Sequence, residues 1–323
     1  MRKLLLHTLL ILLFAAAPAS GLRAETFFQL PIIPDSMAFG NRVNYLVEHY
    51  WDFCDLKKAF SSRQRMSDAF KEYLDLMPLA DADKATAAVD KFVKALEKQP
   101  NDLLFITGVA EDYMYSDTAA LSGDAIYLQF VKAVTANKKI DKASKMRYER
   151  QQRLLENCQI GRRVPDFTYI DRGGEKRSFD ADTADIVYLY VYDTDCADCS
   201  LARVRLDADI NTTKLIDAGS LRIVAISPTT PDGEWRDRVA SYPKTWSVGA
   251  LEDFDDIYEV KQIPTFFIMD KSHKLYFKNL GLDQVLGVSL QLASRTRDPY
   301  IQRGTHTDGA TEPEPTDTTQ TEQ

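Results

Sequence analysis

The chain of 323 residues has little cysteine, glycine or proline: 4, 14 and 13 residues respectively. Four cysteines are too few for a disulfide framework. So little glycine and proline excludes a collagen-like or low-complexity main body. The four histidines, His7, His49, His273 and His306, are scattered, and there is no second Cys-x-x-C. That leaves no zinc-binding set. Positive charge is also in deficit, with 40 Lys+Arg against 48 Asp+Glu and a net charge of −8. An acidic body lacks the basic patch that phosphate backbones or anionic membrane surfaces require. No phosphate loop and no Ser/His/Asp constellation stands out, and no organic cofactor is implied.

The only long apolar run is at the N-terminus. Arg2 and Lys3 precede Leu4–Ala19, which is apolar apart from His7 and Thr8. The run falls short of the ~20 residues needed to span a bilayer. Small residues follow at Ala17, Ala19, Ser20, Gly21 and Ala24. The pattern predicts a signal peptide over residues 1–24. No cysteine follows the run directly, which argues against a lipid anchor. Removing Arg2, Lys3 and Arg23 takes the net charge from −8 to −11. The expected location is the periplasm or cell envelope, an oxidising compartment, with no stable membrane insertion after cleavage.

A chain of this length suggests about two domains, and the pattern changes near residue 160. Residues 25–159 carry helical periodicity and predict an all-α bundle of about six helices. Val43, Leu46, Val47, Tyr50 and Cys54 form one stripe, and Met66, Phe70, Tyr73, Leu74 and Met77 another. Residues 160–297 predict an α/β domain with a mixed sheet flanked by helices, so the fold class is α+β overall. Ile186–Tyr192 is a continuous apolar and aromatic run, as in a central strand buried on both faces. Residues 298–323 are rich in Thr, Glu, Asp, Pro and Gln and predict a disordered tail.

The chemistry is carried by Cys196-Ala197-Asp198-Cys199. The first cysteine follows a buried strand and the short loop Asp193-Thr194-Asp195, so the pair falls where the next helix begins. Free N–H groups and the positive end of the dipole favour a thiolate there. The three-residue spacing lets the second sulfur reach the first within one turn. Cys196 is the expected exposed nucleophile and Cys199 the more buried resolving thiol. Further along, Pro264 lies directly before an apolar strand, a setting in which X–Pro bonds are often cis.

Val164-Pro165-Asp166-Phe167, the strand ending in Cys196-Ala197-Asp198-Cys199, and Ile263-Pro264-Thr265 together resemble the thioredoxin-like TlpA/ResA class of envelope thiol–disulfide oxidoreductases. The resemblance covers about residues 160–295. It implies that Cys196 attacks, that Cys199 resolves, and that Pro264 with Ile263 and Thr265 shapes a groove for an extended partner segment. Implied partners are protein thiols and disulfides, with a membrane thiol protein as electron donor. The helical region, through Tyr50-Trp51-Asp52-Phe53, resembles an uncharacterised domain preceding thioredoxin modules in Gram-negative envelope proteins.

The chain departs from that class in informative places. Asp195 stands where thioredoxins usually have Trp. Tyr190 stands six residues before Cys196, where they keep a buried acid, and Ala202 where the envelope class often has Glu. Asp193, Asp195 and Asp198 are the remaining candidates for proton transfer. Negative charge from these three disfavours a Cys196 thiolate, and no cation lies beside the cysteines in sequence. The expected direction is therefore a reductase. The alternative is a non-enzymatic binding protein, with the α/β domain as platform and the bundle as partner-binding module. Cys54 and Cys158, both on apolar helix faces, are either buried thiols or a disulfide stapling the bundle's first and last helices.

Overall fold

The computed structural model describes residues 28–116 and 118–295. The expected signal peptide (1–24) and the expected tail (298–323) lie outside the described residues. The chain divides into two compact units, one ending at Lys145 and the other beginning at Met146.

The first unit is all helix: α1 (Phe39–His49), α2 (Leu56–Ala59), α3 (Arg63–Asp75), α4 (Ala82–Leu96), α5 (Pro100–Ala110) and α6 (Asp124–Ala136). α5 runs on into a single π-turn at Glu111–Tyr115. The apolar stripes become core, with Met66, Phe70, Tyr73 and Leu74 of α3 each essentially inaccessible to solvent. Trp51 stacks on Phe92 of α4 with ring centroids 4.7 Å apart. Tyr50 donates its hydroxyl to the Ala69 carbonyl at 3.1 Å. Asn44 and Asp81 exchange two hydrogen bonds that tie α1 to the start of α4. Asp52 is paired with Lys91 at 2.6 Å, whereas Phe53 is exposed. The Tyr-Trp-Asp-Phe segment is thus mostly an aromatic packing element of this unit.

A further helix, α7 (Lys142–Asn157), crosses the boundary and gives most of its length to the second unit. The expected boundary at 159/160 falls later. The reason is local: Arg150 of α7 pairs with Asp255 and Asp256, and Asn157 donates to the Ile257 carbonyl at 2.9 Å. Polar as its exposed face is, α7 belongs with the sheet.

The second unit comprises β1 (Thr168–Asp171), β2 (Lys176–Ser178), β3 (Ile186–Val191), α8 (Ala197–Ala208), α9 (Ile210–Asp217), β4 (Leu221–Ser227), α10 (Gly233–Val239), β5 (Ser247–Ala250), β6 (Thr265–Asp270), β7 (Leu275–Leu280) and α11 (Leu282–Arg295). The seven strands form one sheet in the order β2-β1-β5-β4-β3-β6-β7. β3, β4 and β5 are parallel to one another, and the remaining pairings are antiparallel. β3 lies inside the sheet between β4 and β6, and its alternation separates two apolar layers. Tyr188 and Tyr190 enter the layer that contains Cys199, Leu206 and Trp235. Val187, Leu189 and Val191 enter the opposite layer with Phe167, Phe254 and Tyr258. α8 and α9 are separated at Asp209, whose side chain caps α9 through the Thr212 N–H. Gly249 is needed where β5 meets β1, since a Cβ there would lie 2.1 Å from the Tyr169 ring.

Candidate functional site

β3 ends at Val191, and the loop Tyr192–Asp195 delivers Cys196 to the first turn of α8. Cys196 is the N-cap residue, and its sulfur accepts the Cys199 N–H at 3.0 Å. Cys196 and Cys199 are joined as a disulfide with Cα atoms 5.2 Å apart, inside the range that a bridge needs. Cys196 is partly exposed, whereas Cys199 is fully buried. That asymmetry gives the two sulfurs different access to a partner.

Tyr190 shapes the floor. Its hydroxyl donates to the Cys199 carbonyl at 2.7 Å, and its ring stacks on Tyr192 and on Phe266 of β6. Burial, the leading cause, pushes its phenol far above the ordinary tyrosine value. The residue at the usual acid position is therefore a permanent donor and not a base.

The Ile263–Pro264 peptide bond is cis. Thr265, the next residue, is paired with Val191 across β3 and β6. The register thus brings Pro264 and the cysteine pair to the same end of the sheet. Thr265 is buried and Ile263 is exposed, at 37 %.

The three aspartates all lie at the surface, away from the burial of Cys199. Asp193 accepts the Asp195 N–H at 2.9 Å and shapes the loop. Asp195 is ion-paired with Arg238 of α10, which also holds Glu234 at 2.5 Å. The Arg238 guanidinium, chiefly by hydrogen bonding, holds the Asp195 carboxyl below its usual range. No cation stands beside the cysteines in sequence, but Arg238 reaches the loop that leads into Cys196, at Thr194 and Asp195. Asp193 and Asp198 make no ion pair among the described residues. Arg238 lies 43 residues from Asp195; the only hint in the sequence is the Glu234–Arg238 spacing on one helix face.

A second feature missed by sequence reasoning lies just before Pro264. Glu259 is buried and ion-paired with Lys278 of β7, and Lys261 stands 3.7 Å from the same carboxylate. Nothing in the local pattern marks this glutamate as internal.

Cys54 and Cys158 are not bridged, which corrects the staple reading. Cys158 is fully buried in the sheet unit, where its sulfur accepts the Glu259 N–H at 3.4 Å. Cys54 lies in the helical unit, in the loop between α1 and α2. Burial, with Asp55 adding to it, pushes the Cys54 thiol up to about 11. Since the thiolate is the reactive species, iodoacetamide labelling of Cys54 should be slow at pH 7 and rise nearly tenfold per pH unit towards that value. Fast labelling already at pH 7, followed by mass spectrometry, would refute that reading.

Among the described residues no cluster of three or more His, Cys, Asp or Glu side chains is placed to hold a metal ion. No helix among them is long and apolar enough to cross a membrane.

Comparison with known proteins places this arrangement. A family described as a domain of unknown function, DUF5106, matches residues 16–157. A thioredoxin-like protein from Bacteroides caccae superposes with TM-score 0.69 at 22 % identity, covering 84 % of this chain and 99 % of that one. The thioredoxin domain of a thiol-disulfide oxidoreductase from Bacteroides vulgatus is 21 % identical, with TM-score 0.36, over 42 % of this chain and 98 % of that one. A thiol:disulfide interchange protein from a Bacteroides species is 20 % identical over 46 % of this chain and 97 % of that one, with TM-score 0.38. No curated protein matches. The likeness to the Bacteroides caccae protein establishes the fold as α+β, a helical region followed by a thioredoxin-like domain.

Proposed function

We propose that the protein is a thiol–disulfide oxidoreductase of the cell envelope, acting on protein substrates as a reductase. The observation that carries this is the Cys196–Cys199 pair: bridged, at a helix N-terminus, one sulfur accessible and the other buried. In the reduced protein the Cys196 thiolate attacks one sulfur of a substrate disulfide. A mixed disulfide forms and the substrate's other sulfur leaves as a thiolate. The Cys199 thiolate then attacks Cys196, closing the protein's own bridge and releasing the substrate's second thiol. The substrate gains two electrons and the protein loses two. A dithiol protein, proposed to be membrane-bound, returns the pair to its reduced state.

Pro264, with Ile263 and Thr265, is proposed to line the groove for an extended substrate segment. Asp193 and Asp198 are the proposed surface groups for proton exchange; Asp195 is committed to Arg238. Those two uncompensated charges also support the reducing direction, because they disfavour the Cys196 thiolate. A couple at about −200 mV or below is expected, and a value near about −120 mV would mean an oxidant instead.

The decisive experiment is Cys199→Ser in the mature protein. Without the resolving thiol, mixed disulfides through Cys196 should accumulate with protein substrates and release on reduction. Cys196→Ser should trap none. If Cys199→Ser traps nothing while Cys196 remains alkylatable, the binding-protein reading replaces this one.

A further inference from the structure

A cavity of about 360 Å³ opens between the β1–β2 turn and the segment that leads into β5. Arg172, Arg177, Arg222 and Lys244 all contribute to its wall. This is a concentration of positive charge in a chain whose net charge is −8.

The four cations differ in what they already hold. Arg172 is structural: it donates to the carbonyls of Tyr242, Pro243 and Trp246 at 2.7–3.0 Å and fixes the loop that forms the rim. Arg177 pairs through Nε with Asp171 at 2.5 Å, yet its side chain stays 60 % exposed. Arg222 reaches Asp182 and Ser247 through Nη1 alone, each at 3.3 Å. Lys244 is exposed and makes no ion pair among the described residues. Asp171 and Asp182 neutralise two of the four charges, leaving two in surplus around one concavity. Guanidinium edges next to a lysine suit tetrahedral oxyanions, because the forks donate in pairs while the ammonium supplies a point charge.

The site is separate from the cysteine pair. Arg222 is in register with Val187, near the start of β3, whereas Cys196 follows the other end of that strand. At roughly 3.3 Å per residue the two lie at opposite ends of the sheet.

We propose that this cavity binds a small doubly charged oxyanion, a phosphate group, with Lys244, Arg177 and Arg222 as its ligands. The inference does not depend on the redox reading. Either free phosphate or a phosphomonoester carries that headgroup.

The test is titration of the isotope-labelled full chain with sodium phosphate, followed by amide shifts, against sodium chloride at equal ionic strength. Saturable shifts at Gly173, Gly174 and Thr245 are expected. Lys244→Ala, at an exposed position with no partner to lose, should weaken binding at least tenfold. Phenyl phosphate binding tighter than inorganic phosphate assigns the ester; equal binding assigns the free ion. Shifts that merely follow ionic strength, or phosphate binding unchanged in Lys244→Ala, would overturn the proposal.

Discussion

Tyr190→Ala should destabilise the sheet unit by roughly 3–5 kcal/mol, the usual cost of emptying a large aromatic site in a core. The ring is fully buried and stacks on Tyr192 and Phe266. Phe266 is held on β6 and Tyr192 directly follows β3. Tyr190→Phe separates packing from hydrogen bonding. It keeps the ring and removes only the bond to the Cys199 carbonyl, for a loss of about 1 kcal/mol. Urea unfolding followed by a sheet-unit probe such as Trp235 or Trp246 fluorescence reads both. An alanine variant that loses less than about 1 kcal/mol would mean that Tyr190 does not support the first turn of α8.

The second large effect concerns the segment before Pro264. Lys278→Met should cost roughly 3–5 kcal/mol, because it leaves the Glu259 charge buried with its main partner gone. Methionine retains the apolar stem, so the loss reports the charge and not the volume. Lys261, more exposed and 3.7 Å from the carboxylate, compensates only in part. Replacing both partners, as in Glu259→Gln with Lys278→Met, should recover part of the loss, since the buried carboxylate is then gone and only the more exposed Lys261 has lost a counter-charge. A single variant as stable as the parent would show that the carboxylate is solvated in solution.

These two residues also mark where sequence reading stops. Tyr190 was visible as a departure from the acid expected there, but not as a donor to Cys199; that depends on how the first turn of α8 sits over β3. The strands were legible because β3, β4 and β6 are almost wholly apolar, a signature that local sequence carries by itself. The helix N-terminus at Cys196 was legible because a short loop directly follows a buried strand. Arg238 was not, since its pairing with Asp195 arises only when α10 packs beside the loop after β3. The choice left open at Cys54 and Cys158 has the same origin. Both positions look alike on helical faces, but a hydrogen bond from Glu259 and complete burial belong to only one of them. Periodicity reports which face is apolar and is silent on which core the face enters.

Helix α7 has a consequence for how the gene can be cut. The family resemblance of the N-terminal region extends to residue 157, whereas the folding unit of the sheet begins at Met146. The matched region and the compact sheet unit therefore overlap over residues 146–157, most of α7. A truncation that removes residues up to 157 would strip the sheet unit of Arg150 and Asn157, and so of their bonds to Asp255, Asp256 and Ile257. A joint placed upstream of α7 keeps these bonds within the sheet unit.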